Sequence, residues 1–320
     1  IEFSDWSSDV CSSDLLIAAA TAFDFNAWTA KYNKKFTAVE NLRRRAIFNI
    51  NAKFVAKHNA EASSFALSMD GPFAAMTNGE YRNLLTVMDV AEGEGEKINT
   101  DRMAESVDWR SKGKVTPVRD QAQCGSCYAF SSIAAFESRL LIAGSKYNVN
   151  NLDLSEQQIV DCSTQNNGCN GGSLFATYRY IAANGLTTES AYKYTAKKGT
   201  CKSFTPVAKC TGSTRIARNS EADLTKALND GPVAVCIDAS QISFQMYKKG
   251  VYDEPKCTQT INHGVAAVGY GSENGKDYYI VKNSWGTAWG ENGYIRMSRN
   301  KNNQCAIASV AFFPTGAKDI

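Results

Sequence analysis

The chain has 320 residues, of which 43% are hydrophobic and 21% charged, a composition typical of a globular protein with room for two packed lobes and an accessory segment. Its net charge of only +3 at pH 7 argues against nucleic acid or an anionic membrane as a partner, and no apolar run reaches the roughly 18 residues of a membrane-spanning helix. Ten cysteines indicate an oxidising compartment and several disulfides, and the lack of an Asn-x-Ser/Thr sequon predicts no N-glycosylation.

The first 22 residues are not expected to belong to the folded protein. Residues 5–15 read like the translation of a DNA sequencing adapter, so residues 1–15 are excluded as an artefact, together with Cys11; the alternative is a natural polar N-terminus. Residues 16–22 are apolar and end in Ala-x-Ala, which is typical of the end of a secretory signal peptide cleaved after Ala22. The alternative is the start of a buried helix, but the cysteine content independently supports the secretory pathway.

Residues 23–102 differ from the rest of the chain, because they contain no cysteine whereas residues 103–320 contain nine. Trp28, Tyr32 and Phe36 recur every four residues, a spacing that predicts one face of a helix.

A second helix is predicted over residues 37–59. Glu40 precedes Arg44 by four residues, the favourable order for an exposed ion pair, and the arginine triplet 43–45 is interpreted as a solvated helix face rather than a binding patch. Residues 91–100 are acidic and glycine-rich, which predicts a solvated linker that a protease can cut.

The cysteine-rich part begins with helices and ends with strands, which predicts an α+β fold. Apolar spacing predicts a helix over 127–144, ending at Gly144, and a shorter one over 154–162. Runs rich in β-formers and bounded by Gly and Asn predict strands at 232–237, 264–270 and 278–282.

Cys127 is the candidate nucleophile. It opens a predicted helix after a glycine-containing loop, and the positive end of the helix dipole favours a thiolate there. A thiolate attacks carbonyl carbon atoms, but an imidazolium partner is needed to hold it ionised at neutral pH. The chain has only two histidines, and His58 lies in the cysteine-free segment. His263 is therefore interpreted as the acid–base group rather than as a hydrogen-bonded structural histidine.

Three further side chains fit roles around this pair. Asn283, twenty residues after His263, is suited to accept a hydrogen bond from the imidazole and fix its tautomer, and Trp285 would cover that bond from water. Gln121, six residues before Cys127, would donate to an oxyanion beside the Cys127 backbone N–H.

Cys124 and Cys127 together also fit two other kinds of site, a thioredoxin-type redox pair and half of a zinc site. A redox pair predicts a small βαβ domain with Cys124 free, whereas other cysteines are available here to bind Cys124. A zinc site needs a second Cys-x-x-Cys or paired histidines, and the sequence has neither. No metal and no cofactor are therefore predicted.

These motifs together resemble the papain family of cysteine proteases, in its cathepsin L-like branch. The matching blocks, which follow the family's order and spacing within residues 24–316, are 121–127, 168–172, 262–264 and 283–290. Tyr128 follows the candidate nucleophile where Trp is usual in the family, and in this the chain resembles the amoebic cysteine proteinases. The resemblance implies a papain-like two-lobe α+β fold, with a helical left lobe, a β-barrel-like right lobe and the active-site cleft between them.

The resemblance also divides the chain into an N-terminal α-helical inhibitory prodomain over 23–102, which crosses the cleft in reverse, and a mature peptidase domain over 103–320 that begins near Met103. The interspersed propeptide pattern is carried by Glu40, Arg44, Phe48, Asn51, Val55 and Asn59. A second propeptide signature at 71–75 is degraded, because Gly71 and Ala75 replace the family's Asn and Asp. The carboxylate on which acid-triggered release would depend is therefore missing.

Residue-by-residue likeness implies three disulfides, namely Cys124–Cys169, Cys162–Cys201 and Cys257–Cys305. Cys210 and Cys236 are left over, and the sequence leaves open whether Cys210 competes with Cys201 for Cys162. Cys236 is interpreted as a small buried residue of the substrate pocket rather than as a reactive second thiol.

The likeness further implies a set of substrate-binding residues, namely Gly171, Gly172, Leu174, Cys236, Ile261, Gly264, Trp285 and Val310. The S2 pocket among them has apolar or small walls and Val310 at its base, so a bulky apolar P2 residue such as Leu or Val is predicted in preference to Arg. Ala122 and Ala288 stand where the family commonly has glycine, which matters if the backbone there needs a positive φ.

The sequence thus predicts an endopeptidase made as a zymogen, in which Cys127 attacks the peptide carbonyl and His263 acts as acid and base. The alternatives are a catalytically silent binding or inhibitory module, and peptide ligation through the same acyl-enzyme. Expected partners are protein and peptide substrates, the chain's own propeptide and cystatin-like inhibitors, with no nucleic acid or membrane partner and a monomeric state. The expected location is lysosome- or vacuole-like, or secreted.

Overall fold

The structure is a computed structural model that describes residues 23–87, 95–100 and 103–320. The predicted artefact at 1–15, the signal remnant at 16–22 and residues 91–94 of the predicted linker lie outside the described residues. The helices are α1 (Phe25–Lys31), α2 (Ala38–Ala60), α3 (Asn78–Arg82), α4 (Cys127–Ile142), α5 (Glu156–Cys162), α6 (Leu174–Asn184), α7 (Glu221–Asp230) and α8 (Ile242–Gln245). The strands are β1 (Phe65–Leu67), β2 (Val107–Asp108), β3 (Ala208–Lys209), β4 (Gly212–Arg215), β5 (Val233–Ile237), β6 (Tyr247–Tyr252), β7 (His263–Glu273), β8 (Lys276–Lys282), β9 (Tyr294–Ser298), β10 (Val310–Thr315) and β11 (Lys318–Asp319).

The N-terminal part contains two helices close to the predicted ones. The Thr37 hydroxyl accepts a hydrogen bond from the Glu40 N–H and caps the start of α2, so the prediction of a helix over 37–59 is confirmed to within a residue. The prediction that Phe36 shares a helix with Trp28 is wrong. Helix α1 ends at Lys31 and Asn33 adopts a left-handed φ of 47°, so Phe36 packs against the core from a non-helical connection.

The Glu40–Arg44 ion pair that the sequence predicts is present, but Arg44 is not exposed as expected. Its side chain is only 17% exposed and contacts both Glu40 and Glu80, so it joins α2 to α3. Arg43 alone of the triplet matches the expected solvated face, with a side chain that is 54% exposed, whereas Arg45 lies over the Phe25 ring and donates to the Asn26 side chain. The interpretation of the triplet as a solvated face is therefore corrected for Arg44 and Arg45.

One large mixed sheet runs through the second half of the molecule, and β3 and β11 form a separate two-stranded sheet among the described residues. The strand order of the large sheet is β1-β6-β9-β8-β7-β5-β10-β4, and β2 pairs with β7. Strands β6 and β9 are parallel, and the other pairs of this sheet are antiparallel. Strand β1 comes from the N-terminal part and adds to the edge of the sheet, where Phe65 lies opposite Gly250. The N-terminal part is thus attached partly by strand addition.

Helix α4 lies where the helical and β parts of the molecule meet. Its C-terminus is closed by hydrogen bonds from the Gly144 N–H to the Leu141 carbonyl and from the Ser145 N–H to the Leu140 carbonyl, so it ends where the sequence predicts. Two large apolar clusters flank this region: one surrounds α4, α5 and α6, and the other lies among the sheet, α7 and the N-terminal part. The predicted α+β architecture, helical first and β-rich later, is confirmed.

Three disulfides join the cysteines that the resemblance pairs. Cys124–Cys169 and Cys162–Cys201 lie in the helical part, and Cys257–Cys305 lies in the β-rich part. Cys127, Cys210 and Cys236 are buried and form no disulfide among the described residues, so Cys210 does not take Cys201's place. No helix in the described ranges has both the length and the apolar character needed to cross a bilayer.

The described end of the predicted linker is exposed but attached. The Glu96 N–H donates to the Arg215 carbonyl, the Ala217 N–H donates to the Glu96 carbonyl, and the Ile98 N–H donates to the Asp223 carboxylate. The stretch 95–100 is thus largely exposed to solvent, as predicted, and these three hydrogen bonds attach it to residues 215–223.

Candidate active site

Cys127 is the first residue of α4 and is fully buried. The backbone N–H groups of Gly264, Thr86 and Tyr128 face its thiol and act to lower its pKa. Burial has the larger effect and raises the pKa of Cys127 above its usual value, because a thiolate loses its hydration there. The sulfur therefore lies among donors suited to an anion, but in this covered state the neutral thiol is favoured.

His263 begins β7, and its ring is oriented by Asn283. The Nε2 atom lies 2.9 Å from the Asn283 Oδ1, and the Ser284 N–H donates to the same oxygen at 2.8 Å. Since that oxygen only accepts, Nε2 carries the proton and Nδ1 is left as the basic nitrogen. Nδ1 is buried without a hydrogen-bond partner among the described residues. Burial lowers the pKa of His263 to about 4, against the opposing effect of the Asn283 bond.

Trp285 lies flat against the His263 ring, with 4.6 Å between ring centroids and an angle of 21° between the planes. It is itself buried and contacts Phe73 and Tyr81 of the N-terminal part. The indole thus covers one face of the imidazole next to its contact with Asn283.

Gly264 explains how α4 and β7 approach each other so closely. A Cβ atom at this position would lie 2.9 Å from the Ser131 Oγ and 3.1 Å from the Cys127 carbonyl oxygen. Only glycine therefore lets the backbone after His263 pack against the start of α4.

Gln121 links the loop before Cys127 to the residue after Asn283. Its Nε2 donates to the Cys124 carbonyl at 2.9 Å, and its Oε1 accepts from the Ser284 hydroxyl at 2.6 Å. The amide is buried and oriented from both ends. The next residue, Ala122, adopts a left-handed φ of 51°, whereas Ala288 has no positive φ, so only the first of these two alanines stands where glycine would relieve strain.

The expected pocket residues come together beside Cys127. Leu174, Cys236 and Val310 are buried in one apolar cluster, and Ile261 packs against it. Cys236 lies opposite Gly264 on β7 and opposite Val310 on β10. The sheet register thus brings together residues that are far apart in the chain.

The N-terminal part lies across this site. The Val87 N–H donates to the Asn262 carbonyl at 3.1 Å, and Val87 pairs with Gly172 and belongs to the same apolar cluster as Leu174 and Cys236.

Gly171 has a φ of 111°, and a Cβ there would lie 2.1 Å from the Thr86 carbonyl oxygen. Glycine is therefore needed at this position, because the N-terminal part crosses it at Thr86. Sequence reasoning missed Thr86 and Val87, because nothing local distinguishes them, and it missed Ser284 although Ser284 lies within a matched block.

Comparison with known proteins identifies the family. Residues 103–315 match the model of the papain family cysteine proteases, and residues 25–81 match the cathepsin propeptide inhibitor domain (I29). The chain belongs to the papain family, as the precursor of a cysteine endopeptidase with its own propeptide inhibitor domain.

Three relatives illustrate the likeness. Cysteine proteinase 2 of Entamoeba histolytica is 53% identical over 310 residues, which cover 95% of this chain and 98% of that protein, so the predicted similarity to amoebic enzymes is confirmed. Digestive procathepsin L2 of Tenebrio molitor larval midgut superposes with a TM-score of 0.85 at 35% identity, over 91% of this chain and 98% of the other. Bromelain of Ananas comosus in complex with the E64 inhibitor superposes with a TM-score of 0.62 at 43% identity, over 67% of this chain and 100% of the bromelain chain.

Proposed function

We propose that Cys127 and His263 are the catalytic pair of this endopeptidase. The observation that carries the proposal is the contact between His263 Nε2 and Asn283 Oδ1, which leaves Nδ1 as the basic nitrogen. Nδ1 takes the thiol proton, and the thiolate attacks the scissile carbonyl carbon. The imidazolium protonates the leaving amine, and His263 then acts as base for the water that hydrolyses the acyl-enzyme.

Asn283, Trp285 and Gln121 support this chemistry without changing covalently. Asn283 keeps Nε2 protonated, and Trp285 shields that hydrogen bond from water. One Nε2 hydrogen of Gln121 is bound to the Cys124 carbonyl, and the other, together with the Cys127 N–H, donates to the tetrahedral oxyanion.

The prodomain keeps the precursor latent both by occupying the cleft and by excluding water from it. Thr86 and Val87 occupy backbone positions that a substrate needs at Gly171, Gly172 and Asn262. Burial raises the pKa of Cys127 and lowers that of His263, so the neutral pair is favoured while the prodomain is bound. Removal of the prodomain restores solvent, and the thiolate–imidazolium pair then forms.

We further propose that the S2 pocket prefers bulky apolar P2 side chains. Its walls are Leu174, Cys236, Ile261, Gly264 and Val310, none of which carries a charge. The chain's own Val87 supports this preference, since the residue that the prodomain brings to this apolar cluster is itself a β-branched apolar one. A fluorogenic panel tests it: Leu-Arg and Val-Arg substrates should be cleaved faster than Arg-Arg, and Val310→Glu should narrow the difference. Faster cleavage of Arg-Arg by the unmodified enzyme would refute the assignment.

Maturation to an N-terminus near Met103, a monomeric state, inhibition by cystatin-like proteins and a lysosome-like or extracellular location complete the proposal. The three disulfides support a route through an oxidising compartment.

The decisive experiment is active-site titration. A precursor spanning residues 23–320 is allowed to mature and is then treated with an epoxide such as E64, the inhibitor bound in the bromelain structure. One equivalent should label Cys127 in peptide mass spectra, and His263→Ala should abolish the labelling. Cys210→Ser, which removes another buried free thiol, is the matched control and should label normally. Labelling at another cysteine, or none, would contradict the proposed roles.

A further inference from the structure

A small cavity, lined by both charged and apolar side chains, lies behind the proposed catalytic residues. It has a volume of about 10 Å³, which is close to the space that one water molecule needs. Among its lining residues are Ser131 and Glu137 of α4, Glu156 of α5, Gly264 of β7, and Lys282 and Asn283 at the end of β8. The elements that carry Cys127, His263 and Asn283 therefore all border the same cavity.

The charged residues around the cavity are buried and partly paired. Glu137 accepts hydrogen bonds from the Thr116 hydroxyl at 2.5 Å and the Leu154 N–H at 2.8 Å, and the Lys282 ammonium donates to Thr116 at 3.2 Å. Glu156 is 5% exposed. Buried charges are costly unless they are paired and hydrogen-bonded, so such a cluster is rarely without a role.

Asn283 borders the cavity and has a donor that needs a partner. Its Oδ1 is taken by His263 and the Ser284 N–H, and its Nδ2 is buried without a hydrogen-bond partner among the residues that the structure describes. Since the two ends of an amide point in different directions, Nδ2 faces away from His263. A buried amide N–H without a partner is uncommon and calls for an explanation.

We propose that one water molecule binds in this cavity, accepts a hydrogen bond from Asn283 Nδ2 and donates to the carboxyl groups of Glu137 and Glu156. These two glutamates are thereby positioning residues, because the water holds the amide in the orientation that presents Oδ1 to His263. The inference rests on the proposed roles of Asn283 and His263.

The charge state of the cluster fits such a role. Glu137 faces Lys282 and Arg119, and Glu156 faces Glu137, Glu189 and Asp153. Burial, with a contribution from Glu137, raises the pKa of Glu156 well above its usual value, which favours the neutral carboxyl. Burial also lowers the pKa of Lys282 to about 8, and Glu137 opposes that shift. A neutral Glu156 carboxyl accepts from water through its carbonyl oxygen, which a glutamine reproduces.

The kinetic test compares Glu156→Ala with Glu156→Gln in the mature enzyme. Loss of one hydrogen-bond partner should lower kcat about tenfold in Glu156→Ala and leave KM unchanged, whereas Glu156→Gln should stay within about twofold of the unmodified enzyme. Glu254→Ala is the matched control, since Glu254 is a partly buried glutamate that accepts a hydrogen bond from Ser243 and lies outside the cavity. Unchanged kcat in Glu156→Ala, or equal loss in both Glu156 variants, would overturn the proposal.

A second measurement needs neither activity nor the Glu156 variants. A high-resolution crystal structure of the Cys127→Ser precursor should show a water within about 3.2 Å of Asn283 Nδ2 and of a Glu137 or Glu156 oxygen. Lack of that water would overturn the proposal even if Glu156→Ala fails to fold. Failure of the epoxide to label the unmodified enzyme would refute the proposed function instead, whether or not the water is found.

Discussion

The prodomain contacts the catalytic domain through two regions of different character. The first, here called the anchor, consists of β1, Phe73 and Tyr81. The Phe73 ring meets Trp285 edge-on at 4.9 Å, Tyr81 is fully buried, and its hydroxyl donates to the Ala239 carbonyl at 2.7 Å. The anchor therefore combines large apolar burial with strand pairing.

The second region, Thr86 and Val87, crosses the cleft with small side chains. The Thr86 hydroxyl donates to the Gly125 carbonyl at 3.0 Å, and the Val87 N–H donates to the Asn262 carbonyl at 3.1 Å. Since apolar area dominates affinity and these contacts are few, the comparison indicates that the anchor holds the prodomain while the cleft segment blocks the active site.

Loss of the anchor should have the largest effect. Phe73→Ala in a Cys127→Ser precursor should cost about 3–5 kcal/mol, because it removes a buried ring and leaves a cavity against Trp285. The measurement is the rate at which added trypsin removes the prodomain, which should rise at least about a hundredfold. Leu42→Ala, at a side chain that is 71% exposed, should leave the rate unchanged. Equal rates for the two variants would show that the anchor does not hold the prodomain.

Acid should weaken the closed state through His263. In the Cys127→Ser precursor, which has no thiolate to pair with the imidazole, the pKa of His263 is lowered to about 4 in the closed state and returns towards 6.5 on opening, so the open state binds more protons between those values. The closed state is fully stable above pH 6.5 and loses up to about 3 kcal/mol as the pH falls to 4. Trypsin removal of the prodomain from Cys127→Ser should accelerate over this window.

Adding His263→Asn should flatten the pH dependence between 6.5 and 4. Glu80 contributes little in that window, because its neighbouring arginines and the Thr77 N–H outweigh burial and lower its pKa from 4.5 to about 2, so the stabilisation that it provides is lost mainly between those two pH values. An unchanged pH profile in the His263→Asn variant would contradict the mechanism.

Loss of the Arg44 ion pairs should have a smaller effect than loss of Phe73 or protonation of His263, because these ion pairs lie within the prodomain rather than across its interface with the catalytic domain. Arg44→Met should lower the free energy of unfolding by about 2 kcal/mol, since Glu40 and Glu80 lose a partly buried partner. Arg43→Met is the matched control and should cost less than about 0.5 kcal/mol at its 54% exposed position. Thermal unfolding of the precursor measures both, and equal shifts would contradict the distinction.

Val87→Ala should have the smallest effect on prodomain retention. The loss of two methyl groups from the apolar cluster should cost about 1 kcal/mol, or roughly fivefold in the trypsin rate at neutral pH. Val39→Ala, at an 80% exposed position, serves as the control. If Val87→Ala matched Phe73→Ala, the cleft segment would be an anchor in its own right.

Local signals predicted much of the fold. The predicted helices over 37–59 and 127–144 correspond to α2 and α4, and the predicted strands correspond to β5, β7 and β8. The errors arose where distant residues intervene: Arg44 is partly buried by Glu80, which lies 36 residues away, and Phe36 packs inward although its helix has ended.

The sequence by itself determined which residues could do the chemistry, because a helix-opening cysteine and one available histidine leave a single combination. Only the tertiary structure decided that Asn283 Oδ1 accepts a hydrogen bond from His263 Nε2 and leaves Nδ1 as the basic nitrogen, that Val87 packs in one apolar cluster with Leu174 and Cys236, and that one cavity is bordered by Asn283, Glu137 and Glu156. It also decided which protonation states are favoured, since burial raises the pKa of Cys127 and lowers that of His263. The sequence specifies which side chains are present, whereas the distances between them and their exposure to water are set only when the chain folds.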